Sequence, residues 1–286
     1  MNSQIQIMLD RYECNTTQQY ESALKEIIQE VALSGLSRAG FFNKASLCGG
    51  TALHIFHGLD RFSEGLDFTL VKPDSSFDIK DYFTSVQNEL LAFGFEMTIE
   101  KNENHKASAV QSAFLKGNTQ KLLLQINSIN PPVQGVVSSH KTRVKLEIDT
   151  NPPEGATYDE KYSLLPMPYQ AKLMDLASMF SGKIHAILVR DLVRDYVKGR
   201  DLYDYVWYLQ RRVLWNQKLL KNALLQTNSI ENGDQFDREE AKALLMKRFS
   251  EIDFDLAKRD VFPFLRHEAA IDLWRADFFR QITADL

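Results

Sequence analysis

The sequence predicts an α/β (α+β) domain over residues 1–165 followed by a helical bundle domain over 166–286. Two observations carry that division. Before residue 165 short alternating segments sit among helical ones, and after Pro166 and Pro168 the apolar spacing turns helical. Composition agrees, because 44% hydrophobic and 25% charged residues describe a globular chain and exclude a disordered or fibrous one.

In the first domain, Phe95–Glu100, Ala107–Lys116, Gln120–Ile129 and Lys141–Asp149 alternate with the period of a strand. The last three are expected as an antiparallel run punctuated by Asn130-Pro131-Pro132. In the second domain, helices are expected near 170–189, 193–211, 215–227, 237–254 and 269–282. The aromatic segment Trp274 to Phe279 reads as core rather than as a docking stripe.

No apolar run approaches the ~20 residues of a membrane span, and Met1 to Asp10 has neither a basic start nor an apolar stretch. A cytoplasmic protein is expected. Cys14 and Cys48 are too few for a disulfide framework or a four-cysteine metal site, and read as thiols. A net charge of −4 does not advertise a nucleic-acid binder, but it averages unlike regions. The 43 residues from Asn104 to Leu146 carry no carboxylate, yet hold Lys106, Lys116, Lys121, Lys141, Arg143 and Lys145. Lys183 to Lys221 is a second basic stretch. Each reads either as a solvated face or as a phosphate-binding surface.

Gly49 and Gly50 open an expected helix, where they serve either a tight turn or close backbone approach to a phosphate. His54 and His57 lack the spacing of a zinc motif. On the strand expected from Leu66, Asp67 and Thr69 share the face opposite Leu66, Phe68 and Leu70. Arg143, Lys145, Glu147 and Asp149 likewise alternate with Val144, Leu146 and Ile148. If those two strands are neighbours, Glu147 or Asp149 meets Asp67 around Mg²⁺ with basic groups nearby; otherwise the charged face is simply solvated.

Four ordered stretches carry a resemblance: Gly49-Gly50-Thr51-Ala52-Leu53, Arg61-Phe62-Ser63-Glu64-Gly65-Leu66-Asp67-Phe68, Val144 to Asp149, and Lys198-Gly199-Arg200-Asp201-Leu202-Tyr203-Asp204. Together they resemble the AbiEii/AbiGii toxin family of nucleotidyltransferases, in the polymerase-β-like superfamily. The resemblance implies a nucleotidyltransferase core with a mixed sheet, a helical C-terminal domain, and nucleotidyl transfer from an NTP with Mg²⁺ or Mn²⁺ to an RNA or protein acceptor. It also implies a toxin with a cognate antitoxin, or a phage-defence role. Asp67 and Glu147 would be catalytic metal ligands, joined by Glu64 or Asp149, and Lys183 and Asp201 would be catalytic. Gly49, Gly50, Ser63, Lys145, Arg190, Lys198 and Asp204 would bind the nucleotide. A competing role for Asp201 is pairing with Lys183 or Arg190 to fix the helical domain.

One position departs from the family. Where the family strand reads S-E-D-L-D-F this chain has Gly65, so the first carboxylate of D-x-D is missing. A site rewired through Glu64 or Asp149, a natural member with little or no transfer activity, and an altered sequence each account for it. The alternative to the enzyme is therefore a degenerate module that binds a nucleotide, an RNA or an antitoxin.

Overall fold

The computed structural model describes residues 3–12, 14, 16–101, 110–118, 141–190, 198–231, 236–284 and 286. The expected strand Gln120–Ile129, together with Lys106 and Lys121, lies outside them. The chain forms two compact units. The first comprises Met1–Phe56, Phe62–Pro152 and Asp159–Leu173, and the second His57–Arg61, Pro153–Tyr158 and Met174–Leu286.

The first unit begins with α1 (Ser3–Leu9) and the long α2 (Thr17–Arg38). Thr16 caps α2 by accepting from the Gln19 N–H, and the Gln19 side chain accepts in return from the Thr16 N–H. Then follow β1 (Ala45–Cys48), α3 (Gly49–His57), β2 (Gly65–Leu70), α4 (Phe83–Ala92), β3 (Thr98–Lys101), β4 (Val110–Asn118), β5 (Lys141–Asp149), β6 (Tyr158–Ser163) and β7 (Tyr169–Met174). They build a mixed sheet in the order β3-β4-β5-β2-β1-β7-β6. β2 is antiparallel to β1 and parallel to β5, while β4 is antiparallel to both β3 and β5. Lys141–Asp149 is thus a strand as expected, whereas the residues expected to open a helix at 170 extend beside β1, with Leu173 opposite Leu47.

Alternation on the two middle strands decides which face is core. Leu66, Phe68 and Leu70 of β2 and Val144, Leu146 and Ile148 of β5 are buried. Phe68 meets Phe41 edge to face at 4.8 Å, and Phe41 meets Tyr82 at 5.0 Å. The opposite face keeps Asp67 and Lys145 exposed and Glu147 and Asp149 half-buried.

From Leu176 the second unit is helical: α5 (Leu176–Val189), α6 (Gly199–Gln210), α7 (Gln217–Gln226), α8 (Arg238–Phe249), α9 (Phe254–Val261) and α10 (Ala276–Ala284). The helix expected over 237–254 is present but ends early, at Phe249, and Asp253 accepts from the Leu256 N–H to start the next one. Phe180 stacks on Tyr208 at 4.5 Å, and Tyr205, Phe249, Trp274 and Phe279 form one aromatic cluster. Trp274 and Phe279 are therefore core. The buried Arg248 guanidinium donates from Nε to the Ile187 carbonyl and from Nη2 to the Arg190 carbonyl, closing the C-terminal end of α5. Among the described residues no helix is long and apolar enough to cross a membrane.

Candidate active site

Asp67 lies on β2 between two strands, opposite Cys48 of β1 and opposite Glu147 of β5. In-register parallel partners project side chains to the same face, so the two carboxylates expected to meet are cross-strand neighbours. The same pairing sets Gly65 opposite Lys145 and Thr69 opposite Asp149. Lys145 Nζ lies 2.7 Å from Glu147 Oε1.

The turn into α3 is shaped around Asp67. Gly49 has φ +73°, a backbone that L side chains rarely adopt, and a Cβ there would stand 2.8 Å from Asp67 Oδ2. Glycine therefore meets both demands, and the first N–H groups of α3 come with Gly49 and Gly50 beside a carboxylate-bearing strand. Ser63, before β2, is held from several sides. Its N–H donates to Glu26 Oε1 at 3.3 Å and its carbonyl accepts from Gln29 Nε2 at 3.2 Å, both from α2. Thr51 of α3 bonds the Ser63 hydroxyl and donates to the Gly65 carbonyl. Glu26 Oε2 lies 3.2 Å from His54 Nε2, so that histidine is packed in the buried layer. One turn along α2, burial pushes the Glu30 carboxyl up to about 7; Glu26 reinforces that shift, while Arg11 and His54 oppose it. Nothing in the spacing of Glu26, Gln29 and Glu30 announced this layer.

Glu64 is exposed and precedes β2, and pairing runs regularly from Gly65 to Thr69, so no bulge turns Glu64 into the strand. Asp149 Oδ1 accepts from the Asn151 N–H at 2.9 Å, and burial raises its carboxyl. Asp67 and Glu147 are thus the cross-strand pair of carboxylates. Among the described residues no group of three or more His, Cys, Asp or Glu could hold a metal ion.

The other expected residues belong to the second unit. Asp201 of α6 accepts from Lys183 Nζ at 2.7 Å and from Arg190 Nη1 at 2.5 Å. Asp204, one turn on, accepts from Arg61 Nε at 2.7 Å and Nη2 at 2.8 Å, and lies 2.8 Å from Lys183 Nζ. Lys183 therefore bridges the two aspartates. Burial opposes ionisation of each, yet Lys183 and Arg190 beside Asp201, and Arg61 and Lys183 beside Asp204, hold both carboxyls below the usual range. Lys183 and Arg61 are raised in turn by the aspartates, against the pull of their own burial. Lys198 is the N-cap of α6, and its charge adds to the field that lowers Asp201. Gly199 follows because α9 passes too close for a side chain: a Cβ would lie 1.8 Å from the Ala257 carbonyl. Arg61 was visible only as a motif letter, and its bidentate role is a product of the fold.

Several solved structures are similar. The MenT4 nucleotidyltransferase toxin of Mycobacterium tuberculosis H37Rv is 15% identical, with a TM-score of 0.53 and 98% of this chain and 90% of that chain covered. JHP933 of Helicobacter pylori is 16% identical, with a TM-score of 0.45, 95% of this chain and 90% of that one. No curated protein matches the chain in sequence. Residues 31–281 match the family described as nucleotidyl transferase AbiEii toxin, Type IV TA system, so nearly all of the sequence that builds both units answers to one pattern and the chain belongs to the AbiEii nucleotidyltransferase toxin family.

Proposed function

We propose that this protein transfers a nucleotidyl group from an NTP to a hydroxyl of an RNA or protein acceptor, as the toxin of a pair with a cognate antitoxin. The observation that carries the reading is the in-register pair Asp67 and Glu147 beside the glycine turn into α3. Gly49 and Gly50 present backbone N–H groups to the triphosphate, where the helix dipole favours negative charge. Lys145 and the Ser63 hydroxyl complete the phosphate contacts. Asp67 and Glu147 would hold Mg²⁺ or Mn²⁺, which would supply neutralisation of phosphate charge and polarisation of the reacting oxygens. The acceptor hydroxyl attacks the α-phosphorus, the bond to the β-phosphate breaks, pyrophosphate leaves and the hydroxyl proton passes to solvent. In the second unit, Arg190 and Lys198 are assigned to phosphate, and Asp201, Asp204 and Lys183 to holding that charge in place.

The test incubates the protein with each labelled NTP, Mg²⁺ or Mn²⁺ and total RNA, and follows label onto RNA or protein. Transfer that disappears in Asp67→Ala and in Glu147→Ala, both folded, is expected. One observation favours a second reading, a module that binds nucleotide without transfer: Gly65 removes a carboxylate from the strand. Nucleotide binding with no transfer from any NTP decides for that reading.

A further inference from the structure

Position 65 departs from the family pattern, and the strand pairing shows what stands in its place. Gly65 is the register partner of Lys145, just as Asp67 is of Glu147, so the lysine shares one face of the sheet with both carboxylates. The two strands also approach too closely at that point for any side chain on β2. A Cβ at Gly65 would lie 2.7 Å from the Lys145 carbonyl oxygen and 3.2 Å from Lys145 Cβ. Backbone would have to move before an aspartate fitted, so the missing carboxylate belongs to the local geometry of the β2–β5 pair. The lysine beside it is placed to act. Its Nζ is 2.7 Å from Glu147 Oε1, and the two side chains keep 45% and 34% exposure, which leaves the ammonium accessible to a phosphate.

We infer that Lys145 is a resident cation in place of one metal ion, and that the site takes a single divalent ion with each nucleotide. This rests on the nucleotidyltransferase reading above. Charge supports it. Three carboxylates beneath two divalent ions leave one net positive charge facing a triphosphate, and two carboxylates beneath one divalent ion and one ammonium leave the same. An ammonium on a flexible stem is a point charge that donates to phosphate oxygens, so electrostatic binding of the triphosphate is kept. It is not a Lewis acid, and the second ion's polarisation of an oxygen is given up.

Native mass spectrometry of the full chain, with Mn²⁺ and each of the four α,β-methylene nucleoside triphosphates, counts ions per nucleotide-bound protein. One Mn²⁺ is expected in the wild type. In Lys145→Met nucleotide affinity should fall roughly 10-fold or more, the scale of one lost charged hydrogen bond, and Lys145→Arg should recover most of it. Circular dichroism confirms that each variant is folded, and Lys145 is exposed enough that folding should survive. Two Mn²⁺ per bound nucleotide in the wild type, or unchanged affinity in folded Lys145→Met, overturns the lysine assignment and leaves the nucleotidyltransferase reading standing. Failure of every analogue to bind with Mn²⁺ overturns both.

Discussion

Replacing Glu30 by glutamine should stabilise the protein at pH 8 and leave it unchanged at pH 4.5. Glu30 is 6% exposed in the middle of α2, and burial raises its carboxyl from an ordinary 4.5 to about 7. A group whose native pKa lies above its unfolded value binds its proton more tightly when folded. Stability therefore declines as pH rises between those two values, and the whole cost is present above the upper one. At 1.36 kcal/mol per pH unit the interval is worth ~3 kcal/mol. Glutamine keeps the size and carries no proton to lose. Urea unfolding of both proteins from pH 4.5 to 8.5 measures the difference at each pH. The expected result is a difference that grows from near zero to ~3 kcal/mol in favour of the variant. A difference independent of pH would refute the reasoning, because Glu30 would then not be holding a proton.

Gly199→Ala should cost ~3 kcal/mol or more, since its Cβ would stand 1.8 Å from the Ala257 carbonyl, and a lowered urea midpoint reports it. Arg61→Met leaves the buried Asp204 with Lys183 alone and should cost ~3 kcal/mol, while Arg61→Met with Asp204→Leu should recover part of that in the same assay. Because Asp201 and Asp204 have depressed pKa values, their contribution is complete above the ordinary carboxylate range and is lost as pH falls through the folded values. Acid unfolding followed by fluorescence should accordingly be shallower in the double variant than in the wild type.

The alternation of Val144, Leu146 and Ile148 with Lys145, Glu147 and Asp149 showed both the strand and its charged face, because a period of two survives without tertiary context. β7 was not legible. Tyr169-Gln170-Ala171-Lys172-Leu173-Met174 contains no β-branched residue and several good helix formers, so only pairing beside β1 extends it. The break before Phe254 did carry a signal, the capping Asp253, within a run that otherwise reads as helix. The Asp67–Glu147 pair was expected from the motifs, but the bonds that hold Ser63 and, in the second unit, Asp204 were not. Ser63 and Glu26 are 37 positions apart, and Arg61 and Asp204 are 143 apart, distances over which local pattern specifies nothing. Gly65 was conspicuous as a missing carboxylate, whereas its fit against the Lys145 backbone depends on strand spacing alone.

The membership of Arg61 in the second unit bears on how the gene can be divided. A fragment expressed from residue 166 onward would inherit Asp204 with Lys183 beside it but lose the Arg61 guanidinium, because residues 57–61 are encoded ahead of β2. Such a fragment should accumulate poorly, and co-expression of the missing N-terminal piece would be needed to rescue it. A deletion series that assumes two consecutive coding blocks would therefore report lost protein rather than lost chemistry at nearly every cut.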